Sequence, residues 1–203
     1  FNYTVDTLVD GTYEVFVTVL REDSRSTTET WRFTVGEAKY KAYFGQLHAH
    51  TAEYSDGSGT LQNGLDYIKN IAKNDNVDFS AFTDHSNYFD SSSSANPADA
   101  LNDKTKMTTE SLAKWNKYVS DMDTFNQENA GSIIALAGFE MTWSGGPGHI
   151  NTFNSDGLIS RNNKDLNNKS ADAGMKLYYE TLIQNTDPLA NLSQFNHPGT
   201  TFG

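Results

Sequence analysis

All five histidines of this 203-residue chain lie in or just beyond short apolar runs of the kind that form β-strands. Two of them, His48 and His50, are one residue apart near the end of such a run. If the run is a strand, both imidazoles point to the same side, because side chains alternate faces along a strand. Two imidazoles on one face at a strand's end make half of a metal site. The pair alone is weak evidence, since an exposed strand can carry it by chance.

The other three histidines and one glutamate strengthen this prediction. The histidines occur in the segments Thr83-Asp84-His85, Gly148-His149-Ile150-Asn151 and Asn196-His197-Pro198-Gly199. Glu140 ends the apolar run 133–139, where a charge without a partner is unfavourable; a salt bridge to a lysine is the alternative explanation. The chain has no cysteine, so a divalent cation would be held by imidazole nitrogen and carboxylate oxygen.

A group of cations close together also needs a bridging carboxylate, because their mutual repulsion must be screened, and Glu140 is the candidate. Such a cluster can lower the pKa of a bound water toward ~7 and hold the attacking and leaving oxygens of a phosphoryl group. The sequence shows neither a Ser-His-Asp nucleophile arrangement nor a glycine-rich phosphate loop. Activated water is therefore the simplest nucleophile.

Composition limits the classes of partner and the location. The net charge is −11 and the sequence pI is about 4.7, so the surface repels phosphate backbones and nucleic-acid binding is not expected. No run approaches the ~20 apolar residues that cross a bilayer, so no membrane span is expected. The absence of cysteine fits an exported surface protein, although many cytoplasmic proteins also lack it. We expect an extracellular or cell-surface location.

The first part of the chain has the pattern of a β-hairpin. Residues 12–20 and 28–35 alternate and are rich in β-branched and aromatic side chains, around the polar segment 21–27. This pattern resembles the last two strands of an immunoglobulin-like or fibronectin-like sandwich, which has about seven strands. We therefore expect residues 1–36 to be part of an Ig-like module. The alternative is a hairpin that belongs to the main domain.

Residues 40–203 alternate between strand and helix patterns. Strands are predicted at 40–50, 77–83, 133–139, 149–153 and 192–195, and helices at 61–74, 108–129 and 171–183. The polar segment 90–106 has no periodicity and is predicted to be a surface excursion. The alternation predicts an α/β domain with a parallel sheet. The candidate residues fall at strand ends, where α/β barrels carry their chemistry, except His149, which lies near a strand start.

These residues together resemble the PHP superfamily, named after its polymerase-associated and histidinol-phosphatase domains. The resemblance covers roughly residues 43–203 and lies in the combination His48-x-His50-Thr51, Ser55-Asp56-Gly57, Thr83-Asp84-His85, Glu140, Gly148-His149 and Asn196-His197-Pro198. It implies a distorted (β/α)7 barrel that hydrolyses phosphoesters at two or three zinc, manganese or iron ions. It further implies that His48 and His50 hold one ion, that Glu140 bridges it to a second, and that His149 and His197 complete the second.

The remaining assignments concern a third ion and the surroundings of the ligands. The resemblance implies that His85 helps to hold the third ion. Asp56 stands where the family often has a third-ion or substrate-contacting residue, although it can instead be a turn residue. Asp84 is predicted to accept a hydrogen bond from a ligand imidazole and so fix its tautomer.

One feature of the family has no counterpart here. PHP proteins end the site with an Asp-x-His pair on the last barrel strand, and no such pair follows His197. A seven-stranded barrel also needs about two more strand–helix units than the pattern supplies. We therefore expect the chain to be the front part of a longer polypeptide, with its barrel completed by a missing segment or a C-terminal fragment.

The leading functional hypothesis is a metal-dependent phosphoesterase acting on a small phosphorylated substrate or a phosphodiester. Its expected catalytic residues are His48, His50, Asp56, Asp84 and Glu140. Few basic residues lie near the motifs, so the metals would have to neutralise the phosphate. One alternative is hydrolysis of a carbamate, amide or other ester by the same cluster. The other is a non-catalytic cell-surface binding module whose metals are only structural.

Overall fold

The computed structural model describes residues 4–5, 7–37, 41–89, 108–143, 148–155, 157–162, 171–185 and 191–197. It is a mixed α/β structure that divides into two compact units, residues 1–42 and 43–203. One two-stranded sheet lies in the first unit, and a curled five-stranded sheet lies in the second.

The first unit contains the predicted hairpin. Strands β1 (Gly11–Leu20) and β2 (Ser26–Val35) pair antiparallel over their full length. Tyr13 lies opposite Phe33, and their rings stack with centroids 5.5 Å apart. Such aromatic cross-strand pairs are among the contacts that fix strand register. The Ig-like origin of this hairpin stays a prediction.

The five-stranded sheet of the second unit is mixed, whereas the sequence pattern predicted a parallel one. Its strands, in spatial order, are β3 (Gly45–Gln46), β4 (Phe79–Phe82), β5 (Ile134–Thr142), β6 (His149–Phe153) and β7 (Leu192–Phe195). The β3–β4 and β4–β5 pairs are parallel, but β6 runs antiparallel to both of its neighbours. The reversal of β6 relative to β5 follows from their connection 143–148, which is too short for the crossover that parallel strands require.

Among its described residues this unit has four α-helices: α1 (Leu61–Asn70), α2 (Ser86–Phe89), α3 (Thr109–Glu128) and α4 (Ala171–Asn185). Helix α1 has a capping box, because the Thr60 hydroxyl accepts from the Asn63 backbone N–H while the Asn63 side chain accepts from the Thr60 N–H. Helix α1 ends at Asn70, and a 3-10 turn (Ala72–Asp75) covers the rest of the predicted span. The four-residue α2 is too short to show periodicity, so it was not predicted.

Helix α3 packs against the strand that carries Glu140. Its buried face presents Trp115, Tyr118 and Met122 to the core, and Trp115 meets Phe139 of β5 with ring centroids 6.2 Å apart. This packing fixes the position of β5 from one side.

The predicted excursion at 90–106 lies outside the described residues. Within the parts of the chain that are described, no helix has both the length and the apolar character to cross a bilayer.

Candidate metal centre

A buried glutamate stands at the centre of the five histidines. Glu140, in β5, has a fully buried side chain. Its Oε1 lies 3.5 Å from His48 Nε2, 3.2 Å from His149 Nδ1 and 3.2 Å from His197 Nε2. Its Oε2 lies 3.3 Å from His50 Nε2 and 2.6 Å from His85 Nδ1. Side chains from positions 48 to 197 of the chain therefore converge on one carboxylate.

The direction of β6 explains how His149 joins this cluster from the start of its strand. Because β6 is reversed, its first residue lies at the same edge of the sheet as the last residues of β5, and Thr142 pairs with His149. In the same register Glu140 pairs with Asn151. Residues opposite each other or two apart share a face, so these four side chains project to one side of the sheet.

The two histidines of the His-x-His pair lie beyond their strand, not in it. The predicted strand 40–50 is regular only at Gly45–Gln46, and the chain then runs irregularly beside β4, where Thr83 N–H donates to Ala49 O. Just after His50, the Thr51 N–H donates to the Asp84 side chain. The rings of His48 and His50 still meet, with centroids 4.7 Å apart.

Three overlapping groups of side chains could each hold a cation. Within each group the ligand atoms lie within 4.8 Å of one another, and the groups are His48–His50–Glu140, His50–Asp56–His85 and Glu140–His149–His197. Glu140 and His50 each belong to two groups. The donor atoms are imidazole nitrogens and carboxylate oxygens, which suit zinc, manganese and iron. The cluster is thus compatible with binding a metal ion.

His50 supplies a direct test of that fit. Its Nδ1 lies 2.9 Å from Asp56 Oδ1, which orients the ring. Its Nε2 is buried and makes no aligned hydrogen bond in the described structure, although it lies 3.3 Å from Glu140 Oε2. Buried polar atoms without a hydrogen bond are rare in proteins and call for a cause such as an ion. A cation between these groups would satisfy Nε2.

Neighbouring polar groups orient two further imidazoles. His48 Nδ1 lies 2.8 Å from Thr83 Oγ1, so a proton on Nδ1 can be donated to that hydroxyl while Nε2 keeps its lone pair toward Glu140. His85 Nε2 lies 3.4 Å from Asp56 Oδ2. The carboxylate of Asp56 therefore contacts two histidines, which is more than a turn residue alone would do.

Asp84 hydrogen-bonds with Thr51. Its Oδ1 accepts from the Thr51 backbone N–H at 2.6 Å and from the Thr51 hydroxyl at 3.0 Å. These hydrogen bonds satisfy a backbone N–H just after His50, and a hydrogen bond from an imidazole to Asp84 stays a prediction. Asp84 therefore fixes the turn that follows His50. Burial raises the pKa of Asp84 to about 6, although the hydrogen bonds from Thr51 oppose this.

The charges of the cluster follow from burial and from Glu140. Burial favours the neutral form of Glu140, but its close contacts with the surrounding imidazoles outweigh burial and hold its pKa well below the usual range. Burial lowers the pKa of His48. Burial also acts to lower the pKa of His50, but Glu140 and Asp56 raise it to about 9. The hydrogen bond with His50 lowers the pKa of Asp56.

Several residues around the cluster were not predicted as functional, although they lie in the segments that carry the ligands. Asn151 is two positions from His149 on a strand, Thr142 is two from Glu140, and Asn196 precedes His197. Asn151 and Asn196 are buried, and Asn196 Nδ2 donates to Glu140 Oε1 at 2.9 Å. For Asn151 and Thr142 the spacing of two along a strand was the available signal, whereas Asn196 had none.

Gly57 should be intolerant of any side chain, because a Cβ there would lie 2.2 Å from the His50 carbonyl oxygen and 2.8 Å from Thr51 N. We expect Gly57→Ala to displace the His50 backbone, to lower stability by about 1–3 kcal/mol and to weaken metal uptake. The control Gly131→Ala carries only the strain of its φ of +76°, with no atom within 4 Å, so its metal uptake should not change. Thermal unfolding and metal titration measure both; normal uptake by Gly57→Ala would contradict the placement of this turn.

Comparison with known proteins gives no assignment for this chain. No protein-family model matches the sequence, and no curated protein matches it either. The cluster around Glu140, with its converging, buried and charged side chains, is the feature of the chain that points to a function.

Proposed function

We propose that this protein is a metal-dependent hydrolase of the PHP type, which cleaves phosphoester bonds in a small phosphorylated substrate or a phosphodiester. The observation that carries the proposal is the contact of all five imidazoles with one buried carboxylate. The curled mixed sheet supports a distorted barrel of that type. We assign two or three zinc, manganese or iron ions to the cluster.

The two oxygens of Glu140 face different histidines, as a bridging carboxylate requires. Oε2 faces His50 and His85. Oε1 faces the other three: His48, His149 and His197. The low pKa of Glu140 keeps its negative charge at any physiological pH. Bound divalent cations would supply Lewis acidity and a water of lowered pKa.

A cleft beside the His50–Asp56–His85 group offers room for a small substrate. It has a volume of about 590 Å³, and its walls include Ser55, Tyr88, Lys114 and Lys117. The Ser55 hydroxyl accepts from the His85 backbone N–H at 3.1 Å, and Tyr88 stacks on the His85 ring at 6.0 Å between centroids. The cleft therefore shares walls with residues that touch the cluster.

The lysines of this cleft are paired with carboxylates, and this favours a second candidate reaction. Lys114 lies 3.5 Å from Glu110, and Lys117 lies 2.5 Å from Asp121, so both cations already have a carboxylate partner. With little uncompensated positive charge in the cleft, most of a phosphate's charge has to be met by cations in the cluster. A neutral substrate such as a carbamate, amide or carboxylic ester carries no charge to be neutralised. Hydrolysis of such a substrate is therefore the alternative.

Turnover of simple esters tests the proposal. We expect protein stripped with chelator to be inactive and to regain hydrolysis of p-nitrophenyl phosphate or bis(p-nitrophenyl) phosphate when Mn²⁺ or Zn²⁺ is restored. Release of p-nitrophenol is measured, with elemental analysis of the same samples as the control for metal loading. Loaded protein that cleaves only p-nitrophenyl acetate would favour the alternative. Loaded protein that cleaves none of the three would contradict both hydrolytic assignments.

A further inference from the structure

Two buried asparagines connect Glu140 to the backbone beside His48. Asn196 Nδ2 lies 2.9 Å from Glu140 Oε1 and 2.5 Å from Asn151 Oδ1. Asn151 Nδ2 in turn donates to the Leu47 carbonyl at 2.9 Å. Asn151 is completely buried and Asn196 is 5% exposed, so water does not compete for these bonds. The result is a continuous chain of amide hydrogen bonds from β5 through β6 to the segment that carries His48.

The orientation of the Asn196 amide follows from its acceptors. Both neighbours of Nδ2, the Glu140 carboxylate oxygen and the Asn151 amide oxygen, can only accept. A flipped amide would place Oδ1 against both of them, which is repulsive. Both hydrogens of Asn196 Nδ2 are thus donated, one to the charged carboxylate of Glu140 and one to the amide oxygen of Asn151.

This arrangement restrains a torsion that the glutamate itself leaves soft. Rotation of a carboxylate about its last bond is broad and has no sharp rotamer, so the plane of Glu140 must be set by its surroundings. A bridging role needs that plane fixed, because each oxygen has to face its own set of imidazoles. Asn196 holds Oε1 by a hydrogen bond to a charged acceptor in a buried place, which is among the stronger kinds.

The other end of the chain acts on His48. Asn151 Nδ2 holds the carbonyl of Leu47, the residue just before His48, and lies 3.2 Å from His48 Nδ1. The amide of Asn151 therefore restrains the backbone just before His48 through Leu47, while its oxygen accepts from Asn196. The His48 ring itself is held by Thr83. Movement of Glu140 and movement of His48 are linked through two side chains.

We propose that Asn151 and Asn196 are positioning residues that set the Glu140 carboxylate and His48 in place before a cation enters. This inference rests on the proposed metal centre and assigns these asparagines a role beyond filling the core. Mutation of a residue that hydrogen-bonds to a metal ligand typically weakens metal affinity about 10- to 100-fold. The affinity should decrease for a cation that Glu140 and His48 hold together.

The test is titration of chelator-stripped protein with Co²⁺ alone, followed by calorimetry and by the visible absorption of bound cobalt. We expect Asn196→Ala to weaken Co²⁺ binding about 10- to 100-fold and to change the absorption bands, since the geometry of the ligands is altered. Asn151→Ala should act in the same direction. The double variant should lose less than the sum of the two free-energy changes, because both residues belong to one chain.

Asn126→Ala is the matched control. Asn126 also bonds through both ends of its amide, to Ala135 N and Ala135 O at 2.8 Å each, but it does not touch the cluster. It should lower the melting temperature and leave the cobalt spectrum unchanged. Wild-type affinity and spectrum in Asn196→Ala would overturn the inference; if that variant does not fold, the same result in Asn151→Ala overturns it. Wild-type protein that takes up no Co²⁺ would contradict the metal centre itself, and the positioning role with it.

Discussion

Replacing Glu140 with glutamine is expected to abolish metal-dependent turnover and to lower the number of divalent cations bound per chain. The substitution keeps the shape of the side chain but removes the charge that all five imidazoles contact. A neutral amide is a poor bridge, because it does not offset the repulsion between neighbouring cations. Mutation of a residue that only hydrogen-bonds to a metal ligand lowers activity about 10- to 100-fold. Replacement of the bridging carboxylate itself should therefore lower activity more than about 100-fold.

The experiment has to separate a damaged site from a damaged fold, since Glu140 is fully buried. Circular dichroism of Glu140→Gln reports the fold, and elemental analysis with p-nitrophenyl phosphate turnover reports the site. Glu14→Gln is the charge-matched control, because Glu14 pairs with Arg32 in the hairpin and is not in the cluster. Wild-type cation content and turnover in Glu140→Gln would refute the central role of this carboxylate.

The set of candidate ligands was predictable because imidazoles are few and their positions in the sequence are distinctive. All five histidines follow or begin short apolar runs, and the structure brings a nitrogen of each within 3.5 Å of Glu140. Strand ends are where a sheet leaves side chains free to converge. Local sequence therefore carried most of the information about which residues meet.

The direction of β6 was not predicted, although it decides how His149 reaches the site. Strand direction is a property of pairing, and the pattern of residues 149–153 is the same for either direction. The signal that was available is the connection 143–148, whose length fits a hairpin and excludes a helical crossover. The mixed sheet follows from that length.

The roles of Asp84, Asn151 and Asn196 were beyond sequence reasoning for a different reason. Asparagine and aspartate are common beside turns and strand ends, so their presence alone indicates no partner. Which group each one bonds depends on contacts between segments about 30 to 100 residues apart, as in Asp84 with Thr51 and Asn151 with Leu47. Such pairing is set by the tertiary fold.

Metal affinity is expected to rise about 50-fold between pH 7 and pH 9, because a proton on His50 competes with the cation. Its folded-state pKa of about 9 lies above the ordinary value of 6.5. Protonated His50 thus stabilises the metal-free fold fully below pH 6.5, and this contribution is lost as the pH rises through about 9. Across that window a cation must displace one proton from Nε2, which gives about tenfold per pH unit.

His50 is the group that this slope should report, because the other groups with shifted pKa values titrate elsewhere. The pKa of His48 is lowered by burial, and that of Asp84 is about 6, so neither adds a slope between pH 7 and pH 9. Calorimetric titration with Mn²⁺ in buffers of different ionisation enthalpy counts the released proton. In Asp56→Asn the pKa of His50 should fall, because a hydrogen bond and a charge that raise it are removed. That variant should bind with a flatter pH dependence, whereas a flat dependence in the wild-type protein would show that His50 does not give up a proton to the metal.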